Sequence, residues 1–371
     1  MDITVRAFLD LLKAGIRRIP PEESLFDSGV DWDGIYRMAS SQAVVPWIVD
    51  GVEMLPERLK PGIEIIEPFL ADTMTAELNN ARMDRFAAGA FSRLEKSGIK
   101  AVMVKGQGLA SLYPDPSHRQ SGDLDILLLP EEYEKAKDLF LPLSTGSEPE
   151  NREIFHLGMH FGPMEMELHG TVSTLMSPSL DKSLNRMLRE MMEKGEFPVV
   201  TVGGRGIPVP SVRFNVLYVF THFLHHYWSS GVGLRQIADL SMFFSAHREV
   251  IDLKQLEADL DVLGIKRLFK AFGCFAVEML GCPPEDVPLY DHRYSGRAGK
   301  ILSYILESGN FGQNMDRPEK QGKNYISRKW HSFIQLVVKD RLKHFTTFPA
   351  DSLRIFAGAF SYGLKRLSKG E

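Results

Sequence analysis

The strongest constraint on the fold lies between residues 99 and 129, where two short apolar segments flank a glycine turn. Ile99–Val104 has the apolar, β-branched composition of a buried strand, and the run KGQG at 105–108 opens a segment rich in alanine and leucine. Asp123–Leu129 predicts a second strand, which Pro130 ends. The order strand, glycine turn, helix, strand indicates a β-sheet packed against helices.

The second predicted strand begins with two aspartates on one face. Side chains alternate along a strand, so Asp123 and Asp125 point to one side while Leu124 and Ile126 point to the other. Adjacent carboxylates repel each other unless a cation neutralises them, and hard oxygen ligands suit magnesium or manganese. The pair therefore predicts a Mg²⁺ or Mn²⁺ site.

A third acid is predicted from a β-hairpin between Ile154 and Gly170. Apolar and polar residues alternate on both sides of a turn at Gly162-Pro163. An even-length turn there gives three cross-strand pairs: His160 with Glu165, Gly158 with Glu167, and His156 with His169. If the hairpin adjoins the aspartate strand, the strand spacing of about 4.8 Å brings Glu167 to the same metal site.

Three carboxylates on adjacent strands describe a two-metal site. Two ions about 4 Å apart stabilise the attacking and leaving oxygens of an in-line phosphoryl displacement, and nucleotidyl transfer is such a reaction. The turn at Gly106, Gln107 and Gly108 offers backbone N–H groups to triphosphate oxygens. Lys105 and Arg119 are candidate countercharges for those oxygens.

Helical patterns surround this region on both sides. Six prolines divide the first seventy residues into short helical segments, and a longer helix is predicted from Thr75 to Ser97, with Gly98 as its C-cap. Helical spacing dominates again from Arg213 onwards. We expect an α+β protein with a mixed β-sheet core at 75–210, an N-terminal helical region at 1–74 and a C-terminal helical domain at 211–371.

Composition excludes several classes of protein. The net charge of -4 over 371 residues argues against strong nonspecific binding to DNA. The two cysteines, Cys274 and Cys282, match no zinc ligand spacing and indicate reduced core thiols. Asp2 and Asp10 interrupt the apolar residues that a signal peptide would need, and no stretch has transmembrane length. We expect a cytoplasmic location without a membrane span.

Taken together, these motifs resemble an uncharacterised nucleotidyltransferase family of the polymerase-beta-like superfamily. The resemblance rests on KGQGLASLY at 105–113, Arg119, GDLD at 122–125 and ELH at 167–169. It continues through the histidine-bearing helix around His222 to LRQIADL at 234–240. The resemblance covers roughly Thr75 to Phe244.

The resemblance implies roles for four residues. Asp123 and Asp125 would be the metal-binding pair, Glu167 would orient or deprotonate an acceptor hydroxyl, and Gly106 would face the phosphates. One departure concerns the glycine turn, where many superfamily members have serine or glycine and this chain has Gln107. A serine hydroxyl is therefore not available there for phosphate contact.

For the charged candidates, simpler structural interpretations compete with a role in nucleotide binding. Lys105 could be a surface lysine at a strand end, and Arg119 could pair with Asp115. Arg235 and Asp239 are four residues apart on a predicted helix, so a helix-surface ion pair competes equally with a role in holding nucleotide phosphates or base.

The histidines have ordinary explanations too. His156 and His160 have the spacing of a zinc pair on a helix, but the alternation of the segment favours a strand. His222, His225 and His226 lie on a predicted helix among aromatic residues, where packing or a hydrogen bond usually explains a histidine.

Two other functions compete with catalysis of nucleotidyl transfer. One is a catalytically inactive nucleotide-binding or protein-interaction member of the same fold. The other is a nucleotide-sugar glycosyltransferase, although the βαβ half expected before its Asp-x-Asp motif is missing from the pattern. We predict a metal-dependent nucleotidyltransferase that moves a nucleoside monophosphate from a triphosphate, ATP by default, to a hydroxyl acceptor with release of pyrophosphate. The acceptor is a small molecule, a sugar, a protein or an RNA end.

Overall fold

The computed structural model describes residues 1–27, 29–314 and 344–368. The helices are α1 (Ile3–Arg17), α2 (Trp32–Gln42), α3 (Val45–Glu53), α4 (Ile63–Lys96), α5 (Gly106–Ala110), α6 (Pro130–Phe140), α7 (Pro178–Lys194), α8 (Val212–Ser229), α9 (Leu234–His247), α10 (Leu253–Leu263), α11 (Lys266–Leu280), α12 (Ala298–Ser308) and α13 (Pro349–Ser368). The strands are β1 (Ala101–Val104), β2 (Asp123–Leu128), β3 (Gly146–Ser147), β4 (His156–Phe161), β5 (Met164–His169), β6 (Val199–Val202) and β7 (Arg205–Pro208). No described helix is both long and apolar enough to cross a membrane.

A five-stranded mixed sheet forms the centre, with strand order β1-β2-β5-β4-β3. Only the β2–β5 pair is parallel, and it sets Asp125 opposite Glu167. The predicted hairpin register is confirmed, since His160 pairs with Glu165 and His156 with His169. The predicted α+β class, a mixed sheet with flanking helices, is likewise confirmed.

One face of the sheet is covered by α4 and α6. The residues that point to this face, such as Leu124 and Met166, are fully buried against Phe91 of α4 and Phe140 of α6. Burying large apolar side chains stabilises the fold by about 1.5–3 kcal/mol each. Because side chains alternate, this apolar layer forces the polar residues of β2, β4 and β5 to the opposite face.

Helix α4 begins earlier than the sequence predicts, at Ile63 rather than Thr75. The added part passes through Pro68, whose missing N–H leaves the Glu64 carbonyl without its intrahelical bond. This part also lies largely in solvent, with Ile63 72% exposed, so it lacks the apolar periodicity that marks a buried helix.

The N-terminal and C-terminal helices share one hydrophobic core. Buried Gln42 at the end of α2 connects three elements, because its amide nitrogen donates to the Ile305 carbonyl of α12 (3.1 Å) and its oxygen accepts from the Leu234 N–H of α9 (2.9 Å). The predicted domain boundaries at 74 and 210 stay predictions. Within residues 1–27 and 29–122, β1 is the sole strand, so no βαβ unit precedes the aspartates.

His118 connects the loop before β2 to α3 and α4. Its Nδ1 lies 2.8 Å from Asp50 Oδ2 and its Nε2 lies 3.1 Å from Glu77 Oε1. The hydrogen bond to Asp50 raises the pKa of His118 from 6.5 to about 9, against the opposing effect of burial. The protonated ring therefore stabilises the fold fully below about pH 6.5, and this stabilisation is lost as the pH rises through about 9.

We expect His118→Gln to lower the free energy of unfolding by about 1–2 kcal/mol at pH 6 and by much less at pH 10. Urea unfolding at the two pH values measures this difference, and His292→Gln, which replaces an exposed histidine, is the control. An equal loss at both pH values would show that the charge of His118 does not contribute.

Candidate active site

A cavity of about 430 Å³ opens between the polar face of the sheet and helices α8 and α9. It is lined by eight of the nine predicted site residues: Lys105, Gly106, Arg119, Asp123, Asp125, Glu167, Arg235 and Asp239. Gln107 is the exception. Residues from five separate stretches of the chain thus meet at one surface.

The three acids converge on the floor of this cavity. Asp123, Asp125 and Glu167 each offer one carboxylate oxygen, and these oxygens lie within 4.8 Å of one another. The parallel β2–β5 pairing produces this arrangement, because it sets Asp125 beside Glu167 on the same face. Three hard oxygen donors at this spacing fit one or two Mg²⁺ or Mn²⁺ ions.

Charge repulsion within the cluster is only partly compensated. The neighbouring Asp125 carboxylate, together with burial, raises the pKa of Asp123 to about 6. Burial also favours neutral Glu167, but hydrogen bonds from His156 and His169 outweigh it and hold the pKa of Glu167 well below its usual range. A bound cation would relieve the repulsion that Asp123 experiences.

Lys105 lies inside the cavity, which rules out the interpretation of Lys105 as a surface lysine. Its Nζ is 2.7 Å from Asp125 Oδ1, and its side chain is 13% exposed. Burial opposes the charge, but Asp125 outweighs it and raises the pKa of Lys105. The backbone at Lys105 has φ +56°, a strained conformation for a residue with a Cβ, and Gly106 follows with φ +37°. This tight turn aims the ammonium at the carboxylates.

Gln107 turns away from the cavity. Its side chain is buried, and its amide nitrogen donates to Asp84 of α4. Since α5 is a single short helix of five residues, its amides have little combined dipole. Any nucleotide contact at position 107 is therefore limited to the backbone N–H.

Arg119 and Asp239 bind each other. The guanidinium donates two hydrogen bonds to the carboxylate, at 2.7 and 2.6 Å, and the Tyr113 hydroxyl donates a third at 2.9 Å. Both simpler interpretations are wrong: Arg119 does not pair with Asp115, and Asp239 forms no surface pair with Arg235. Helix α9 packs inward at these positions, and all of these groups except Asp115 are buried.

Arg235 presents a positive charge to the cavity without a carboxylate partner among the described residues. One of its terminal nitrogens donates to the Gln120 carbonyl, while Nε has no hydrogen-bond partner within the described parts of the chain. Burial, with the nearby charge of Arg119, lowers the pKa of Arg235 to about 10. A buried cation of this kind is suited to bind an anionic ligand.

Histidines line the cavity more extensively than the sequence indicates. His222 of α8 lies 3.4 Å from Lys105 Nζ and 3.0 Å from His226. Burial, together with the Lys105 ammonium, lowers the pKa of His222 well below its usual range, so its ring is neutral. His222 and His226, four residues apart on α8, share one helix face, but only the tertiary fold shows that this face lines the cavity.

The zinc pair considered from the sequence is wrong. His160 lies instead near the hairpin turn, with its Nδ1 3.3 Å from Glu165 Oε1. His156 and His169 approach Glu167, with their Nε2 atoms 3.4 and 3.2 Å from the same carboxylate oxygen. His169 Nε2 also lies 2.8 Å from Asp125 Oδ1.

Comparison with known proteins agrees with the motif resemblance. No curated protein and no solved structure gives a significant match to the chain. A family model described as an uncharacterised nucleotidyltransferase matches residues 28–281, a longer span than the motifs alone indicate. Because this match includes more than half of the chain, the protein belongs to that nucleotidyltransferase family and is a transferase of phosphorus-containing groups.

Proposed function

We propose that this protein transfers a nucleoside monophosphate from a nucleoside triphosphate to a hydroxyl acceptor, using Mg²⁺ or Mn²⁺. The observation that carries the proposal is the convergence of Asp123, Asp125 and Glu167 within 4.8 Å in a cavity that the buried Arg235 side chain also lines. ATP is the default donor. The acceptor is a small molecule, a sugar, a protein side chain or an RNA end.

In the proposed reaction the acceptor oxygen attacks the α-phosphorus, and the bond from that phosphorus to the β-phosphate oxygen breaks. Bound divalent ions would neutralise the attacking and leaving oxygens. Asp123 and Asp125 would hold those ions, and the ionised Glu167 carboxylate would orient the acceptor hydroxyl by accepting its hydrogen bond, while the hydroxyl proton passes to solvent. Pyrophosphate leaves with the electrons of the broken bond.

The phosphate side of the site would consist of Arg235, Lys105 and the Gly106 backbone. Arg235 already faces the cavity without a carboxylate partner among the described residues. Lys105 would exchange its ion pair with Asp125 for a phosphate contact once cations neutralise the aspartates. Arg119 and Asp239 would act indirectly, because their ion pair fixes α9 and with it the position of Arg235.

Glu167→Gln should separate chemistry from binding. We expect transfer to fall at least about 100-fold, because a neutral amide orients and polarises the acceptor hydroxyl far less than a carboxylate does, while nucleotide affinity changes less than about fivefold. Single-turnover kinetics and calorimetry measure the two effects. Glu165→Gln is the matched control, since it lies on the same strand and face but is exposed. If both variants transferred equally fast, Glu167 would have no role in the chemistry.

The function itself is tested by incubating the protein with each α-labelled triphosphate, Mg²⁺ or Mn²⁺, and cell extract. The proposal predicts label on an acceptor together with stoichiometric pyrophosphate. Tight nucleotide binding with neither product, under all four triphosphates and both metals, would instead indicate an inactive nucleotide-binding member of the family.

A further inference from the structure

Two imidazoles and one carboxylate meet at the edge of the acidic cluster. His156 and His169 face each other across the β4–β5 hairpin, with ring centroids 4.9 Å apart. The Nε2 atoms of both rings point to one atom, Oε2 of Glu167, at 3.4 and 3.2 Å. One ligand atom from each residue lies within 4.8 Å of the others.

We propose that His156, Glu167 and His169 form a second metal site, which binds zinc or another borderline first-row divalent ion in preference to magnesium. Imidazole nitrogen suits such ions, whereas magnesium prefers oxygen ligands. Glu167 belongs to both sites, so the inference deepens the proposed function, but the ligand geometry stands independently of it.

The distances fit metal ligation as well as they fit weak hydrogen bonds. Charge-assisted N–H···O⁻ bonds are about 2.7–2.9 Å long, so 3.4 and 3.2 Å are long for that interaction. Ligands bound tetrahedrally at about 2.0–2.2 Å from zinc are separated by about 3.4 Å. The two nitrogen–oxygen distances are therefore already close to that separation, and the three ligand atoms lie within 4.8 Å of one another.

The surroundings permit an ion to enter. All three residues line the cavity, and their side chains are 27%, 32% and 17% exposed. Without a metal, His169 Nε2 also lies 2.8 Å from Asp125 Oδ1. Lys105 Nζ lies 2.7 Å from the same oxygen, so the Asp125 carboxylate would keep a positive partner if His169 bound a metal instead. The fourth coordination position would open to the cavity.

The test is titration of the chelator-treated full chain with Co²⁺ alone, followed through its visible d–d absorption. The wild type should develop the bands of a nitrogen-containing, tetrahedral or five-coordinate site. His156→Gln should weaken Co²⁺ binding at least tenfold, while His160→Gln, on the same strand and face, changes it less than twofold. Equal binding by the wild type and His156→Gln would overturn the proposal.

A second measurement avoids reliance on a variant that folds poorly. X-ray absorption spectra of the zinc-loaded wild type should show two imidazole ligands, and spectra showing none would overturn the proposal. Neither readout requires a nucleotide. If cobalt bound through the histidines but no transfer were found, the proposed function would be wrong and the second metal site would stand. If transfer were intact but no histidine bound the metal, the second metal site would be wrong and the proposed function would stand.

Discussion

Asp123→Asn should make the metal-free protein more stable while abolishing nucleotidyl transfer. Repulsion from Asp125 and burial raise the pKa of Asp123 from 3.8 to about 6, so its ionised form destabilises the folded state. Removing that charge should raise the free energy of unfolding by about 1–3 kcal/mol at pH 7. The same change removes a proposed metal ligand, so the proposed function predicts that transfer falls by about 10³-fold or more.

The pH dependence has a definite sign. Because the folded-state pKa of Asp123 is raised, the destabilisation is present above about pH 6 and disappears as the pH falls towards 3.8. The stability advantage of Asp123→Asn should therefore shrink between pH 7 and pH 4. Saturating Mg²⁺ and nucleotide should also cancel it, because only the wild type gains binding free energy.

Denaturant unfolding at pH 7 and pH 4, with and without Mg²⁺, measures these differences alongside transfer kinetics. Asp138→Asn, at an exposed position on α6, is the matched control and should change neither quantity. A variant that lost stability at pH 7 and kept its activity would indicate a structural aspartate.

Removing one partner of the Arg119–Asp239 pair should produce the largest loss of stability. Both side chains are about 95% buried, and Arg119→Met leaves the Asp239 carboxylate without its two guanidinium bonds. Breaking a buried pair costs about 3–5 kcal/mol, whereas replacing both partners with apolar residues is often nearly neutral. The double variant Arg119→Met/Asp239→Leu should therefore recover much of the loss.

Urea unfolding of the two single variants and the double variant gives the coupling free energy directly. Arg248→Met is the control, because Arg248 pairs with Asp286 at the surface and its loss should change stability little. If Arg119→Met cost no more than this control yet weakened triphosphate binding more than tenfold, Arg119 would be a phosphate ligand and the structural assignment would be wrong.

The acidic cluster could be predicted from the sequence because short-range rules determine it. Strand parity puts Asp123 and Asp125 on one face, and the even hairpin turn fixes the pairing of Gly158 with Glu167. One long-range step was needed, that β5 lies beside β2, and the parallel pairing confirms it.

The contacts within the opposite wall of the cavity could not be predicted in this way. Arg235 and Asp239 have the spacing of a surface ion pair, and nothing local indicates that Asp239 binds Arg119, 120 residues earlier. His222 likewise resembles a packed histidine until α8 is placed over the sheet. Helix positions show which residues share a face, but only tertiary packing shows what that face contacts.

The most direct test is anomalous diffraction from crystals grown with Mn²⁺ and a non-hydrolysable ATP analogue. The proposed function predicts manganese bound to Asp123 and Asp125 at about 2–2.6 Å and to the triphosphate, with Arg235 facing the phosphates. Manganese absent from the three carboxylates, or a nucleotide bound outside the cavity, would contradict it.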